Sequence, residues 1–452
     1  MRLGLHSRWL NLLHTLWFLP SVIAACYIVL AEGLVQLDAA EHFRSAWVFD
    51  GNGHAARTVL SVIAGSLITV AGVTFSVTMI VLQLTSSQFS PRVLRNYLGD
   101  RIAQLTIGSF IGIFAYCLLA LRSVGSERVP RLTITVASAL ALLALAMLIV
   151  FIHHIAQLVQ ASELTARLGR QTLDAIDRLY PERFGEGVED EDVASLVAGW
   201  GREGPPAIVR ADGPGFVQTV ELGALARGLR DHAGARVHIL VAPGDFAHID
   251  QVIGEVWPES SADESLALVR GSVIVGSERD IEHDAHFGIR QLTDIALRAI
   301  SPSVNDPTTA ATCIGYIRSV LTRLAGRDFP SGVRRDGGGP EPLVVRRRGF
   351  EEYVESLAEI GRYAGGDARI VLDLLAALSA IGDTASRFGA DDRAGLALAI
   401  AEAIGEQALA EAGQARDRTL IRDALVRVRD QSSGGDAERL GFSSRSGVNL
   451  SS

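Results

Sequence analysis

The stretch RTVLSVIAGSLITVAGVTFSVTMIVLQLTSSQFSPR, residues 57–92, has 34 residues between its two terminal arginines, and none of them is Asp, Glu, Arg or His. An α-helix rises ~1.5 Å per residue, so about 20 apolar residues cross the ~30 Å hydrocarbon core of a bilayer. The stretch is longer than this and predicts a membrane-spanning helix.

Three further stretches near the start of the chain are also free of charged side chains. They cover 17 residues before Glu32, 20 before Arg122 and 21 before His153. One such stretch could be a buried core helix, but four in succession favour a membrane domain. The predicted four-span domain covers residues 1–155, with spans at about 15–33, 57–86, 102–121 and 132–154.

The first span has two interpretations. Arg2 and Arg8 precede it, as they would in a secretory signal peptide. Its 17-residue apolar run includes Trp17 and Pro20, and no small-x-small cleavage site follows. These features favour a retained anchor.

Composition excludes several classes of chemistry. All 42 basic residues are Arg, so a phosphate-loop lysine and a Schiff-base lysine are both excluded. The three cysteines form no metal-binding spacing, and the net charge of −9 argues against nucleic-acid binding. We expect no cofactor.

An even number of spans places both termini on one side of the membrane. Arg counts on the two sides are equal, so the positive-inside rule does not decide which side. The basic N-terminus, the acidic residues of the 34–56 loop and a long Cys-poor tail favour cytoplasmic termini. We expect a multi-pass membrane protein with both termini in the cytoplasm.

The rest of the chain alternates between helix-type and strand-type patterns. Short β-type runs such as GFVQTVEL and GSVIVGS are separated by DGPG and APGD turns, with one helix expected at 221–232. The predicted fold is an α-helical integral membrane protein with a cytoplasmic α+β region. Its segments are a helical stalk at 156–182, a linker at 183–204, a small β-rich module at 205–280, a helical bundle at 281–430 and a disordered tail at 431–452. Gly and Pro at 326–342 predict a mobile loop.

Two long segments carry a family resemblance. FSVTMIVLQLTSSQFSPRVLRNYLGDRIAQLTIGSFIGIFAYCLLALRSV, residues 75–124, and FGIRQLTDIALRAISPSVNDPTTA, residues 287–310, resemble the membrane-protein family catalogued as domain of unknown function family 2254. The resemblance implies a bacterial inner-membrane protein with four spans and a cytoplasmic region. It implies no specific activity.

One face of the second span collects hydroxyl and amide side chains. At 100° per residue, four of them fall on a common side and could line an aqueous path: Thr69, Ser76, Gln83 and Ser87. The alternative is that small residues let two helices approach closely.

The stretch LRAISPSVNDPTTAATCIGYI, residues 297–317, reads as a joint between two helices. Pro302 ends the first helix, and Asp306 followed by Pro307 is a typical N-cap. The alternative is a ligand-binding or subunit-contact site, because a helix N-terminus can bind an anion. Its residues would be Arg290, Asp294, Arg298, Ser301, Asn305 and Asp306.

The histidine-containing stretch SERDIEHDAHFGIRQLTD, residues 277–294, could suggest metal ligation. Its spacing matches no metal motif, so no metal site is predicted. A membrane-tethered hydrolase using Asp284, His286 and Asp294 ranks last among the functions, because no nucleophile with a paired base is visible. The three arginines 346–348 are expected in a solvated loop, and the alternative is that they dock on the membrane surface or on a neighbour.

The leading functional hypothesis is a homo-oligomeric channel or pore-like assembly in the lipid bilayer, with a cytoplasmic regulatory region that could bind an anion or small ligand. The alternative is a non-conducting scaffold or sensor that binds a cytoplasmic partner. No enzyme activity is predicted.

Overall fold

The chain divides into two units, Met1–Glu163 and Leu164–Ser452. A computed structural model describes residues 17–40, 49–88, 100–125, 129–158, 161–180, 193–229, 234–259, 263–329, 332–334 and 343–441.

Four long helices form the described part of the first unit. They are α1 (Phe18–Ala40), α2 (Gly53–Gln88), α3 (Arg101–Ser123) and α4 (Arg131–Leu158). Each is long and apolar enough to cross a bilayer, which confirms the prediction of four spanning helices.

Helix α3 carries the core of the first unit. Phe110 and Tyr116 are fully buried, and the Tyr116 hydroxyl donates to the Thr133 carbonyl of α4 at 2.8 Å. A Cβ at Gly108 would lie 2.8 Å from the Cα of Pro20. Glycine therefore lets the backbones of α1 and α3 approach closely, as small residues do in membrane helix pairs.

Helix α1 continues past the predicted end of the first span at residue 33. Its Asp38 carboxylate accepts hydrogen bonds from the backbone amides of Leu132 at 3.1 Å and Thr133 at 2.8 Å. These amides belong to the first turn of α4, which has no carbonyl partners of its own. A residue predicted to lie in an acidic loop therefore caps the fourth spanning helix.

The second unit contains eight strands among its described residues. They are β1 (Ala207–Arg210), β2 (Gly215–Val220), β3 (Arg236–Ile239), β4 (Phe246–Ala247), β5 (Val252–Trp257), β6 (Val273–Gly276), β7 (Val333–Arg334) and β8 (Leu343–Val345). Two sheets form, in the orders β1-β5-β3-β8-β7 and β4-β2-β6. Only the β3–β8 pair is parallel among these described strands.

Helices make up most of the remaining second unit. They are α5 (Ala161–Leu179, whose first residues belong to the first unit), α6 (Val193–Gly201), α7 (Leu222–Leu229), α8 (Asp263–Ser272), α9 (Ala285–Ala299), α10 (Pro307–Ala325), α11 (Phe350–Ala364), α12 (Ala368–Arg387), α13 (Asp391–Glu411) and α14 (Ala415–Gly441). A strand-containing region followed by a helical bundle matches the predicted fold class.

Several boundaries differ from those expected. Helix α6 lies inside the expected linker 183–204, where Trp200 packs on Trp257 with ring centroids 5.4 Å apart. Strand β7 lies in the expected loop 326–342. The sequence does not predict this strand, because two residues are too few to produce an alternating pattern of apolar and polar side chains. Helix α8 was not expected.

The last helix also differs from expectation. Helix α14 runs to Gly441, past the expected bundle end at 430, and residues 442–452 lie outside the described part of the chain. Polar composition predicted disorder there, although segments such as DAERL contain good helix formers.

Candidate functional site

The polar residues of α2 lie on two different faces. Thr69, Ser76 and Gln83 are exposed, whereas Thr74 and Thr78 are buried. Ser87 belongs to α2, but its side chain lies outside the described part. The structure thus places three of the four predicted path-lining residues on the outer side of α2.

The middle of this outer face consists of small residues. Gly65, Thr69, Gly72 and Ser76, here called the small-residue stripe, are all exposed at spacings of four, three and four. A Cβ at either glycine would meet nothing within 4 Å. The hydroxyls of Thr69 and Ser76 donate to the carbonyls of Gly65 and Gly72, each at 2.9 Å. The stripe is therefore narrow, open and hydrogen-bonded within its own helix.

Large apolar side chains flank the small-residue stripe. Ile68, Val73, Phe75 and Ile80 are between 43% and 59% exposed. A groove of small residues between apolar ridges is a shape that accepts another helix.

The N-terminus of α10 is capped by Asp306. Its carboxylate accepts from the backbone amides of Thr308 and Thr309, both at 3.1 Å, and from the Thr309 hydroxyl at 2.6 Å. These bonds, led by the Thr309 hydroxyl, lower the pKa of Asp306. An anion at this helix end would have to displace the carboxylate, so the geometry favours the helix joint.

Other polar groups of the joint bond locally. The Ser301 hydroxyl donates to the Arg298 carbonyl at 2.7 Å and lies 3.2 Å from the Ser303 hydroxyl. Asn305 has a φ of 50°, a left-handed conformation that Asn tolerates well. These residues complete the turn between α9 and α10.

Arg290 links α9 to α11. It pairs with Asp294 one turn along its own helix at 2.9 Å, and with Glu359 of α11. The residues of the predicted ligand-binding or subunit-contact site are therefore divided between two places. Arg290 and Asp294 belong to an ion cluster between α9 and α11, and Ser301, Asn305 and Asp306 belong to the capped turn. Arg298 lies on the exposed side of α9.

Asp284 caps α9 and contacts the APGD turn. It accepts from the Phe287 amide at 3.3 Å and pairs with Arg279 at 2.6 Å. Burial raises the pKa of Asp284, and Arg279 opposes this effect. Gly244 has a φ of +90°, and a Cβ there would lie 2.1 Å from an Asp284 carboxylate oxygen. Position 244 therefore requires glycine both for its backbone conformation and because a side chain would overlap Asp284.

His286 is held as a neutral imidazole. Burial lowers its pKa to about 3, and the charges of Arg348 and Arg279 act in the same direction. Its Nδ1 lies 3.2 Å from an Arg279 nitrogen, which can only donate, and the Glu352 backbone forms another bond to the ring. A general base needs a pKa near the working pH and an available nitrogen, so this geometry lends no support to the hydrolase hypothesis.

Arg346 and Arg348, which are expected in a solvated loop, form ion pairs with carboxylates. Arg348 pairs with Asp245 at 2.8 Å and with Glu352 at 2.8 Å, and only 12% of its side chain is exposed. Arg346 also pairs with Asp245. The expectation was wrong for Arg348, because its partner in the APGD turn lies 103 positions away in sequence.

The chain matches the model of a family described as a predicted membrane protein, DUF2254, over residues 14–380. The chain belongs to this family. The match confirms the resemblance of residues 75–124 and 287–310, and together with four apolar helices it fits a membrane location.

Two proteins similar to this chain are described as uncharacterized. An uncharacterized protein of Mycobacterium bovis and one of Mycobacterium tuberculosis (strain H37Rv) are each 33% identical to this chain over 349 residues. The alignments cover 74% of this chain and 65% of each relative. The chain thus spans about 65% of the length of these relatives. No solved structure gives a significant match.

Proposed function

We propose that the protein is a homo-oligomeric, pore-like membrane assembly in which α2 faces other copies of the chain and the second unit has a regulatory role. The small-residue stripe carries this proposal. It is exposed on the single chain, while the opposite face of α2 is packed within the first unit.

Membrane physics favours covering this stripe with another helix. Lipid tails are as apolar as side chains, so helices associate through close packing and interhelical hydrogen bonds. Exposed Gly65 and Gly72 allow a second backbone to approach without displacing a side chain. A second copy of α2 presents the same groove and ridges, as a symmetric contact requires.

The length of α2 supports the proposal that this helix lines an aqueous path. Its 36 residues would extend ~54 Å, well beyond the ~30 Å hydrocarbon core. Gln83 lies about two turns beyond Ser76, towards the end of the helix. Its amide could bind water or polar solutes at the mouth of a path between copies.

A non-conducting scaffold or sensor is the second candidate. It is favoured by the hydroxyls of Thr69 and Ser76, which already bond to their own helix at 2.9 Å. Such groups suit a dry helix contact. This candidate needs no pore between copies of the chain, and its second unit would bind a cytoplasmic partner or a small ligand.

We further propose a bacterial inner membrane as the location, with both termini in the cytoplasm. The basic N-terminus and the Cys-poor second unit support this orientation. A structural role for His286 and Asp294 supports a protein without catalytic activity.

Two measurements on the purified chain test the proposal: its mass in detergent, and the ion flux into liposomes that contain it. We expect a defined oligomer by light scattering in detergent, and a smaller species for Ser76→Leu, because leucine fills the groove. Ala139→Leu is the matched control: it adds the same side chain on the exposed side of α4 and should leave the mass unchanged.

Flux into liposomes separates the two candidates. A wild-type flux that Gln83→Leu alters supports the pore-like assembly. An intact oligomer in liposomes that stay tight at all salts and voltages favours the scaffold. A monomeric wild-type chain contradicts the pore-like assembly and also favours the scaffold or sensor.

A further inference from the structure

A cavity of about 190 Å³ lies in the second unit. Residues from the ends of α5, β2 and β8, from the start of α7, from the APGD turn and from α11 line it. None of them belongs to the small-residue stripe or to the turn between α9 and α10. The volume is close to that of a ~150 Å³ cavity that admits benzene, so the cavity has room for a molecule with one ring.

Two buried tyrosine hydroxyls meet at this cavity. Tyr180 and Tyr353 are both lining residues, and their hydroxyl oxygens lie 2.7 Å apart. Two hydroxyls carry two protons, and the bond between them uses one. Neither hydroxyl has a further hydrogen-bond partner in the described part of the chain. One proton of the pair is therefore left without an acceptor there.

The rings of the two tyrosines pack on side chains that lie outside the cavity lining. The Tyr180 ring packs on Phe329, with ring centroids 5.0 Å apart. The Tyr353 ring packs on His286, with ring centroids 5.5 Å apart. Because neither Phe329 nor His286 lines the cavity, the hydroxyl ends are the parts of the tyrosines that are left to face it.

Two charged residues of the cavity act on these hydroxyls, and both are already paired. Burial raises the pKa of the two tyrosines, the charge of Asp284 adds to this rise, and the charge of Arg348 opposes it. Asp284 pairs with Arg279 at 2.6 Å. Arg348 pairs with Asp245 and with Glu352, both at 2.8 Å. Since these charges are neutralised by their own partners, a donor left unused at this wall is a hydroxyl proton, which a neutral oxygen can accept.

The lining also includes apolar side chains. Val220 ends β2, Leu222 begins α7, and Leu179 is the last residue of α5. Their side chains cannot hydrogen-bond, so they favour the apolar body of a ligand over water. A ligand that suits both parts of the cavity has one acceptor oxygen on a small apolar body.

We propose that this cavity binds a small neutral carbonyl compound, whose oxygen accepts the free proton of the Tyr180–Tyr353 pair and whose apolar body packs on Val220 and Leu222. A buried donor without an acceptor destabilises a fold, and the ligand removes that cost. The site lies within the second unit, so it does not depend on how the spanning helices assemble. It supplies a ligand for the regulatory role proposed for this unit.

Calorimetry on the detergent-purified full chain tests the site with acetophenone as the probe. We expect acetophenone to bind the wild type. Tyr180→Phe/Tyr353→Phe should weaken this binding roughly three- to ten-fold, as the loss of one hydrogen bond does. Replacing both partners of a buried hydrogen bond by apolar groups of the same shape is nearly neutral for stability, so this double variant should fold.

A control variant and a second probe make the result specific. Tyr316→Phe/Tyr363→Phe is the matched control: it removes two hydroxyls that do not line the cavity and should bind acetophenone as the wild type does. Ethylbenzene has the same ring without the carbonyl oxygen. Its affinity should be the same for the wild type and for Tyr180→Phe/Tyr353→Phe.

Three outcomes would overturn the assignment. Acetophenone could bind Tyr180→Phe/Tyr353→Phe as tightly as the wild type, or the double variant could weaken ethylbenzene by the same factor as acetophenone. Either result would remove the hydrogen bond on which the ligand class rests. Tighter binding of benzoate than of acetophenone would overturn the neutral class.

If Tyr180→Phe/Tyr353→Phe does not fold, infrared spectroscopy on the wild type gives the same test. The carbonyl stretch of isotope-labelled acetophenone should lie at lower frequency when bound than in protein-free detergent, because accepting a hydrogen bond weakens the carbonyl double bond. An unshifted stretch, or the absence of acetophenone binding to the wild type, would overturn the site.

Discussion

At the scale of single residues, Gly244 is constrained both by its backbone conformation and by its neighbours. Its positive φ disfavours any side chain, and a Cβ would overlap the Asp284 carboxylate and approach Arg279. The turn itself is visible in the sequence as APGD. Its contact with a buried ion pair 40 positions later is not, since only the fold brings Asp284 to it.

We expect Gly244→Ala to lower the free energy of unfolding by about 1–3 kcal/mol, from backbone strain and the clash with Asp284. The measurement is the thermal unfolding midpoint of the purified chain. Gly213→Ala is the control, because a Cβ there meets nothing within 4 Å. Equal midpoints for the two variants would refute the argument.

Asp306, the N-cap of α10, is the second residue whose contribution to stability can be measured. We expect Asp306→Ala to cost about 1 kcal/mol of stability at pH 7, the usual loss for an N-cap. Its pKa is lowered in the folded chain, so its charged form stabilises the fold above the unfolded pKa of ~3.9. That contribution is lost as the pH falls below this value towards the folded pKa.

Unfolding midpoints from pH 7 to pH 3 should therefore show the gap between wild type and Asp306→Ala narrowing below about pH 4. Asp306→Asn keeps a capping oxygen without titrating, so its advantage over Ala should not change with pH in this way. A gap that stays constant for the wild type would argue against the charged cap.

At the scale of elements, apolar runs predicted the four spanning helices because each run is long and free of charge. The bundle helices were similarly visible, with Asp306–Pro307 giving the start of α10. The shorter elements were not. Strands β7 and β8 have two and three residues, and β8 lies parallel to β3 more than a hundred positions earlier.

The candidate sites show the same division. Periodicity placed Thr69, Ser76 and Gln83 on one side of α2, and the structure shows that this side is exposed. Periodicity could not reveal that Asp38 caps α4, because Asp38 and Leu132 lie 94 positions apart in the sequence.

At the scale of the whole molecule, the described part of the first unit exposes the small-residue stripe on α2, and the second unit combines two sheets with a helical bundle. Each unit has its own core. Assembly through α2 is the central claim, because the proposed pore-like function requires it.

Cross-linking in native membranes tests that claim most directly. In a Cys26→Ser background, which removes the exposed cysteine, Ser76→Cys treated with a short bis-methanethiosulfonate reagent should give covalent oligomers. Leu142→Cys, which is also exposed but lies on α4, should stay monomeric. Absence of cross-linked species for Ser76→Cys, or equal yields at the two positions, would contradict assembly through α2.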